Sequence, residues 1–105
     1  MKNLADMMKK AQELQSKMET MQTELESVEV EGTSGGGMVR VTMSGKGIVK
    51  RVSIAPDLMK ADEREILEDL IVAASADAKS KSERVATEKM KSLTGGLPMP
   101  PGFSL

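Results

Sequence analysis

Residues 35–54 read GGGMVRVTMSGKGIVKRVSI, and this stretch decides the fold. In residues 39–44 apolar and polar side chains alternate, which is typical of a strand with one buried face. Gly45-Lys46-Gly47 then interrupts the alternation, as a tight turn between two strands does. A second alternating run follows, and its two expected faces are Ile48, Val52 and Ile54, and Val49, Arg51 and Ser53. The stretch therefore predicts an antiparallel β-hairpin.

Residues 3–28, ahead of the hairpin, carry a regular heptad pattern. The apolar positions alternate between spacings of three and four: Leu4, Met7, Ala11, Leu14, Met18, Met21, Leu25 and Val28. This pattern predicts one helix about 40 Å long with a coiled-coil seam. A compact domain of this size has a radius of gyration of about 13 Å, so the helix must project or lie against a partner. We expect the seam to pack on the chain's own second helix or on a second copy, with a foreign helix as the alternative.

The remaining segments complete an α+β fold. Residues 28–31 alternate between valine and glutamate and predict a short edge strand. A second helix is expected from about residue 63 to 93, with Asp62 and Glu65 at capping-box spacing. Its apolar first half should cover the sheet, whereas residues 79–91 are largely polar and should extend beyond it. The predicted order is a long N-terminal helix, a three-stranded antiparallel sheet and a long C-terminal helix (αβββα).

We expect one domain over residues 1–96 and a flexible Pro-rich tail over residues 97–105. Two helices that are longer than the three-stranded sheet leave more apolar surface than a chain of 105 residues can bury. A bare sheet edge also invites pairing with another chain. The sequence therefore predicts a homodimer in which the sheets and helix bases form the body and the helix ends project.

The composition excludes several classes of function. The chain has no His, Cys, Trp or Tyr and a single Phe, so it lacks the residues of imidazole catalysis, zinc sites and aromatic base stacking. The Gly-rich segments lack the Lys-Ser/Thr end of a phosphate-binding loop. No apolar run is long enough to span a membrane. We therefore predict a cytoplasmic protein that is not an enzyme and has no cofactor, metal, membrane or small-molecule partner.

The charges alternate in blocks along the chain. The formal net charge is −1, yet residues 19–31 hold five glutamates and no basic residue. Basic residues prevail in residues 1–18, 32–60 and 79–91. Because local fields rather than the total charge steer a polyanion, a near-neutral chain can still attract one.

Four segments carry a family resemblance: GGGMVRVTMSGKG at 35–47, VSIAP at 52–56, LEDLIVAA at 67–74, and KM at 89–90 with LTGG at 93–96. In order and spacing they resemble the YbaB/EbfC family of bacterial nucleoid-associated proteins over nearly the whole chain. The resemblance implies a tweezer-like homodimer that binds double-stranded DNA in the cytoplasm and nucleoid. It also implies the absence of a cofactor and of catalysis.

In that family, DNA binding is attributed to the helical arms. We therefore expect phosphate contacts from the basic residues of both predicted helices, namely Lys9, Lys10, Lys17, Lys79, Lys81, Arg84, Lys89 and Lys91. The sheet cations Arg40, Lys50 and Arg51 should instead pair with nearby acids. The alternative function is a coiled-coil adaptor or holdase that grips protein partners through the Met-rich seam.

Overall fold

The computed structural model describes residues 3–94, which form a helix, a three-stranded sheet and a second helix in chain order. The elements are α1 (Leu4–Ser27), β1 (Glu29–Ser34), β2 (Val39–Ser44), β3 (Val49–Ile54) and α2 (Arg64–Thr94). The strand order is β1-β2-β3, and both neighbouring pairs are antiparallel. The predicted αβββα order and the hairpin are confirmed. The predicted tail, residues 97–105, lies outside the described residues, so the domain boundaries stay a prediction.

The core lies between α2 and the inner face of β1 and β2. Val39 and Val41 of β2 are completely buried, and Ala74 and Ala78 of α2 pack against them. The two alanines let the helix approach closely. At Gly32 of β1, an added Cβ would collide with the backbone of α2 at both alanines. Small residues on both sides therefore set the distance between the helix and the sheet.

α2 buries a narrower stripe than its sequence predicts. Leu67, Leu70 and Ile71 pack partly against the core, but Ile66 and Val72 are 51% and 68% exposed. An α-helix turns by about 100° per residue, so a run of consecutive apolar residues encircles the helix and cannot all face one sheet. The expectation that Ile66 and Val72 cover the sheet was wrong.

A bulge changes the faces of β3. Val49 lies opposite Met43, Arg51 lies opposite Thr42, and Lys50 is the extra residue between them. Because residues directly opposite in an antiparallel pair point to the same face, Val49 joins Val52 on the α2 side of the sheet. The expected placement of Val49 on the opposite face was therefore wrong. The extra residue shifts the alternation of the β3 side chains between the two faces of the sheet by one position.

The ends of the helices also differ in detail from the sequence prediction. Asn3 caps α1 by accepting a hydrogen bond from the Asp6 backbone N–H at 2.9 Å. Before α2, Ala61–Glu63 forms a 3₁₀ turn and Lys60 takes the extended position in front of it. Asp62 therefore lies within the turn and does not flank the helix as its N-cap.

The molecule is elongated, as the length of the predicted helices requires. Its extents are 72 × 25 × 16 Å and its radius of gyration is 19.4 Å, well above the value of about 13 Å for a compact chain of this size. Only the base of the α1 seam is buried in the described chain, at Met21 and Leu25. Neither helix within residues 3–94 has the length and apolar character that crossing a membrane requires.

Candidate nucleic-acid interface

The free part of α1, residues 4–20, is a rod that projects from the sheet and is exposed along its whole length. We call it the α1 arm. The last described turns of α2 reach only its base. There, Ser16, Lys17 and Thr20 of α1 face Ser92 and Leu93 of α2 across a cleft of about 380 Å³. Residues 4–15 extend beyond this cleft.

Residues 19–31, which we call the acidic block, hold four cations of the rest of the chain in ion pairs. Four of its five glutamates make such pairs: Glu24–Lys89 (2.9 Å), Glu26–Lys46 (3.3 Å), Glu29–Arg51 (2.8 Å) and Glu31–Arg40 (3.3 Å). The hydrogen bond and the charge of Arg51 lower the pKa of Glu29, and those of Glu29 raise the pKa of Arg51. The expectation that Arg40 and Arg51 pair with nearby acids is confirmed, whereas Lys50 has no ion pair among the described residues.

The cations of the α1 arm are arranged differently. Lys9, Lys10 and Lys17 are exposed, and within residues 3–94 none of them has an acid within ion-pair distance. Lys10 and Lys17 are seven residues apart, so they lie on the same side of the helix about 10 Å from each other. Lys9 points about 100° away from Lys10. The three ammonium groups of the arm therefore make no ion pair within the described chain, while Asp6, Glu13 and Glu19 give residues 4–20 an equal number of negative charges.

The cations predicted on α2 separate into different environments. The Lys89 ammonium pairs with Glu24 and ties α2 to α1. The Lys81 ammonium donates to the Glu31 carbonyl at 2.8 Å and pairs with Asp77 at 3.2 Å, so it is bound at the edge of β1. Lys79 lies over the β2–β3 turn, where its Nζ would be 2.9 Å from a Cβ built on Gly47.

Arg84 and Lys91 complete the predicted set on α2. Arg84 is exposed and makes no ion pair in the described part of the chain. Lys91 lies seven residues further along, on the same side of the helix. The structure thus leaves Lys9, Lys10, Lys17 and Arg84 exposed and without an ion pair in the described chain, whereas Lys81 and Lys89 make contacts that hold the body together. The Glu31 carbonyl that Lys81 contacts and the Glu24 carboxylate that Lys89 contacts are 50 and 65 residues away in sequence, so no local pattern could have revealed these two contacts. The Asp77–Lys81 pair, by contrast, has the local i,i+4 spacing.

The outer edge of β1 is closed by α2. Asp77 accepts the Thr33 backbone N–H at 3.0 Å, and Lys81 donates to the Glu31 carbonyl next to it. The Thr33 hydrogen bond, followed by the Lys81 contact, lowers the pKa of Asp77. Two side chains thus occupy the donor and acceptor that an added strand would need.

The opposite edge of the sheet has no such cover among the described residues. Every residue of β3 except the half-buried Ile54 is exposed, including Val49 at 51% and Val52 at 47%. Val72 of α2 is exposed as well. An exposed strand with valines on its inner face is a template for association with another chain.

Comparison with known proteins gives consistent results. Residues 1–97 match the model of the YbaB/EbfC DNA-binding family. The chain is 56% identical to a nucleoid-associated protein of Brucella ovis and 58% identical to one of Rhodopseudomonas palustris, covering all of this chain and 98% and 99% of those proteins. A crystal structure of an uncharacterized protein from Helicobacter pylori shares the fold, with a TM-score of 0.80 and 17% identity over 90% of this chain and 100% of that one. The chain belongs to the YbaB/EbfC DNA-binding family.

Proposed function

We propose that the chain binds double-stranded DNA as a homodimeric nucleoid-associated protein, through phosphate contacts from its projecting arms. The observation that carries this proposal is the distribution of unpaired positive charge. Ion pairs with the acidic block engage Lys46, Lys89 and the sheet arginines, whereas Lys9, Lys10 and Lys17 stay available. The names of the Brucella and Rhodopseudomonas relatives support the association with the nucleoid.

The chemistry of the arms favours contact with phosphates over reading of bases. Lysine ammonium groups on an exposed helix bind phosphate oxygens as point charges. Such binding releases counterions, so its affinity falls steeply with salt and depends little on sequence. Roles in compaction or gene regulation would follow from many such contacts along the DNA.

The test is a titration of a random duplex at several salt concentrations. Each lysine that no longer meets a phosphate should make the slope of log affinity against log salt shallower by about 0.9. The variant Lys10→Gln with Lys17→Gln should therefore bind more weakly with a shallower slope. Its matched control, Lys46→Gln with Lys60→Gln, removes the same charge from the body and should keep the slope. Equal slopes for both variants would contradict the arm model.

The open edge at β3 is the proposed dimer interface. Since Asp77 and Lys81 close β1, the sheet can extend through β3 alone, and a second copy would also cover Val49 and Val52. A dimer would raise the number of α1 arms that can reach one duplex from one to two.

Light scattering during size-exclusion chromatography tests this interface. We expect a dimer for the unchanged chain and a monomer for Val52→Lys. The control Leu14→Lys changes another half-exposed apolar residue, on the α1 arm, and should stay dimeric. A dimeric Val52→Lys variant would place the interface elsewhere.

One observation favours the alternative function, an adaptor or holdase for protein partners. The part of the α1 seam that lies on the α1 arm is exposed, at Leu4 (71%), Met7 (62%) and Leu14 (48%). Methionine-rich apolar surfaces adapt to varied partners. Binding through this seam should hold or strengthen as salt rises, which is the opposite of the behaviour expected for DNA.

A further inference from the structure

The cleft between α1 and the last described turns of α2, which we call the arm cleft, is lined by hydrogen-bond donors from both helices. Three hydroxyls and two ammonium groups line it, from Ser16, Lys17, Thr20, Lys89 and Ser92. Glu24 supplies the single carboxylate of the lining. Five polar donors from two helices therefore converge on one cavity of about 380 Å³.

The hydroxyl groups of the arm cleft have no partner in the described chain. A serine or threonine on a helix can donate to the carbonyl one turn back, and on α1 Thr23 donates to the Glu19 carbonyl at 3.1 Å. Within residues 3–94, the side chains of Ser16, Thr20 and Ser92 make no such bond. Ser16 and Thr20 are four residues apart and so lie on the same side of α1. Their hydroxyls are therefore available to a ligand in the cleft.

Positive charge is in excess among the side chains that line the arm cleft. Lys17 makes no ion pair in the described chain, and the Lys89 ammonium makes one, with Glu24 at 2.9 Å. An ammonium group has three donors, so Lys89 can donate to a ligand while it keeps this pair. Glu19 of the acidic block does not line the cleft. Two cations and one carboxylate thus leave one positive charge for an anion to balance.

We propose that the arm cleft binds a phosphate group. A phosphate monoester offers three acceptor oxygens and about −1.5 to −2 charges at pH 7, which suits this donor set better than the two oxygens and single charge of a carboxylate. Small-molecule sites have volumes of about 300–1,000 Å³, so the cleft holds a molecule up to nucleotide size. A DNA duplex is too wide to enter, since its major groove alone is about 12 Å across. The phosphate therefore belongs to a small phosphorylated molecule or to a DNA strand at the mouth of the cleft.

Titration of the full chain with inorganic phosphate tests the proposal. Sodium phosphate replaces sodium chloride at constant ionic strength and neutral pH, and nuclear magnetic resonance follows the backbone amides. We expect saturable shifts in residues 16–24 and 89–93. Thr20→Val removes a hydroxyl of the cleft and should weaken binding several-fold. Its matched control Thr23→Val removes a hydroxyl that already donates to the Glu19 carbonyl, and should bind as the wild type does. Shifts that do not saturate, or equal affinities of the two variants, would overturn the proposal.

The carboxylate of the arm cleft gives an independent test. Glu24→Gln removes the negative charge that competes for Lys89, so it should bind inorganic phosphate several-fold more tightly than the wild type. Glu13→Gln makes the same change on the α1 arm outside the cleft and should alter the affinity little. Circular dichroism verifies that both variants remain folded. Equal affinities of these two variants would mean that phosphate responds only to the net charge of the chain, and would overturn the proposal.

Competition with a random DNA duplex distinguishes the two sources of the phosphate. If a DNA strand supplies it, inorganic phosphate displaces the duplex more than chloride does at equal ionic strength, and Thr20→Val abolishes the difference. If a small phosphorylated molecule supplies it, the two anions displace the duplex equally while the titration with phosphate still saturates. Both results support the phosphate site. The site does not depend on DNA binding, since a chain that binds phosphate and no DNA would contradict the proposed function alone.

Discussion

Replacing Gly32 with alanine should destabilise the protein through a collision between β1 and α2. A Cβ at this position would lie 2.7 Å from the Cα of Ala78 and even closer to other backbone atoms of α2. Carbon atoms in contact prefer about 3.5–4.0 Å, so the helix must retreat by about 1 Å. Added volume in a packed core costs about 1–3 kcal/mol, and the upper end applies here because helix backbone cannot move aside like a side chain.

For a domain of this size, a destabilisation of about 3 kcal/mol lowers the melting temperature by about 15 °C. Thermal unfolding followed by circular dichroism measures it. Gly36→Ala is the matched control, because nothing lies within 4 Å of a Cβ there and only the φ of +67° opposes a side chain. That conformation costs about 1 kcal/mol. If Gly32→Ala melts at the wild-type temperature, or above Gly36→Ala, then β1 and α2 do not pack as closely as described.

Three further changes test the sheet edge and the core. The pKa of Asp77 is lowered in the folded state, so its stabilising effect is present above the ordinary value of 3.8 and is lost as the pH falls through the lowered folded pKa. Melting temperatures across this acid range should therefore fall less for Asp77→Asn, and parallel curves would contradict the role of the Thr33 contact. The double variant Asp77→Ala with Lys81→Ala removes both groups that close the β1 edge and should open it to strand addition. Light scattering should then show assemblies larger than those of the wild type. An unchanged mass would show that Asp77 and Lys81 do not protect the edge. Ser82 is 2% exposed and hydrogen-bonded to a β2 carbonyl, so urea unfolding of Ser82→Ala should show a destabilisation of about 1 kcal/mol, while Ser80→Ala on the exposed side should be nearly neutral.

The elements of the fold were predictable because their signals are local. Alternation in residues 39–44 and the glycines of the turn specify β2 and the hairpin, and heptad spacing specifies α1. The bulge at Lys50 was not predictable, because an extra residue in one strand is defined by its pairing with the other. The exposure of Val72 was missed for a similar reason. How much of the α2 surface the sheet covers depends on the width of the sheet, and no local sequence pattern indicates that width.

The candidate site was predictable in composition and not in arrangement. The sequence identified eight of the nine cations of the two helices as candidates, all but Arg64, together with the acidic block between residues 19 and 31. It did not distinguish Lys10, which has no acid within ion-pair distance in residues 3–94, from Lys89, which an acid from the other helix engages. Both are lysines on polar helical positions, so only the approach of α1 to α2 separates their roles.

The sequence by itself determined the order of elements, the length of the helices and the family, because periodicity, turn residues and motif spacing are properties of neighbouring residues. The tertiary structure alone decided which charges cancel, which sheet edge is closed and where the α1 seam is covered. Those properties depend on distances between segments far apart in the chain. Ion pairing and burial vary steeply over a few ångströms, and such distances exist only once α2 has packed across β1 and β2.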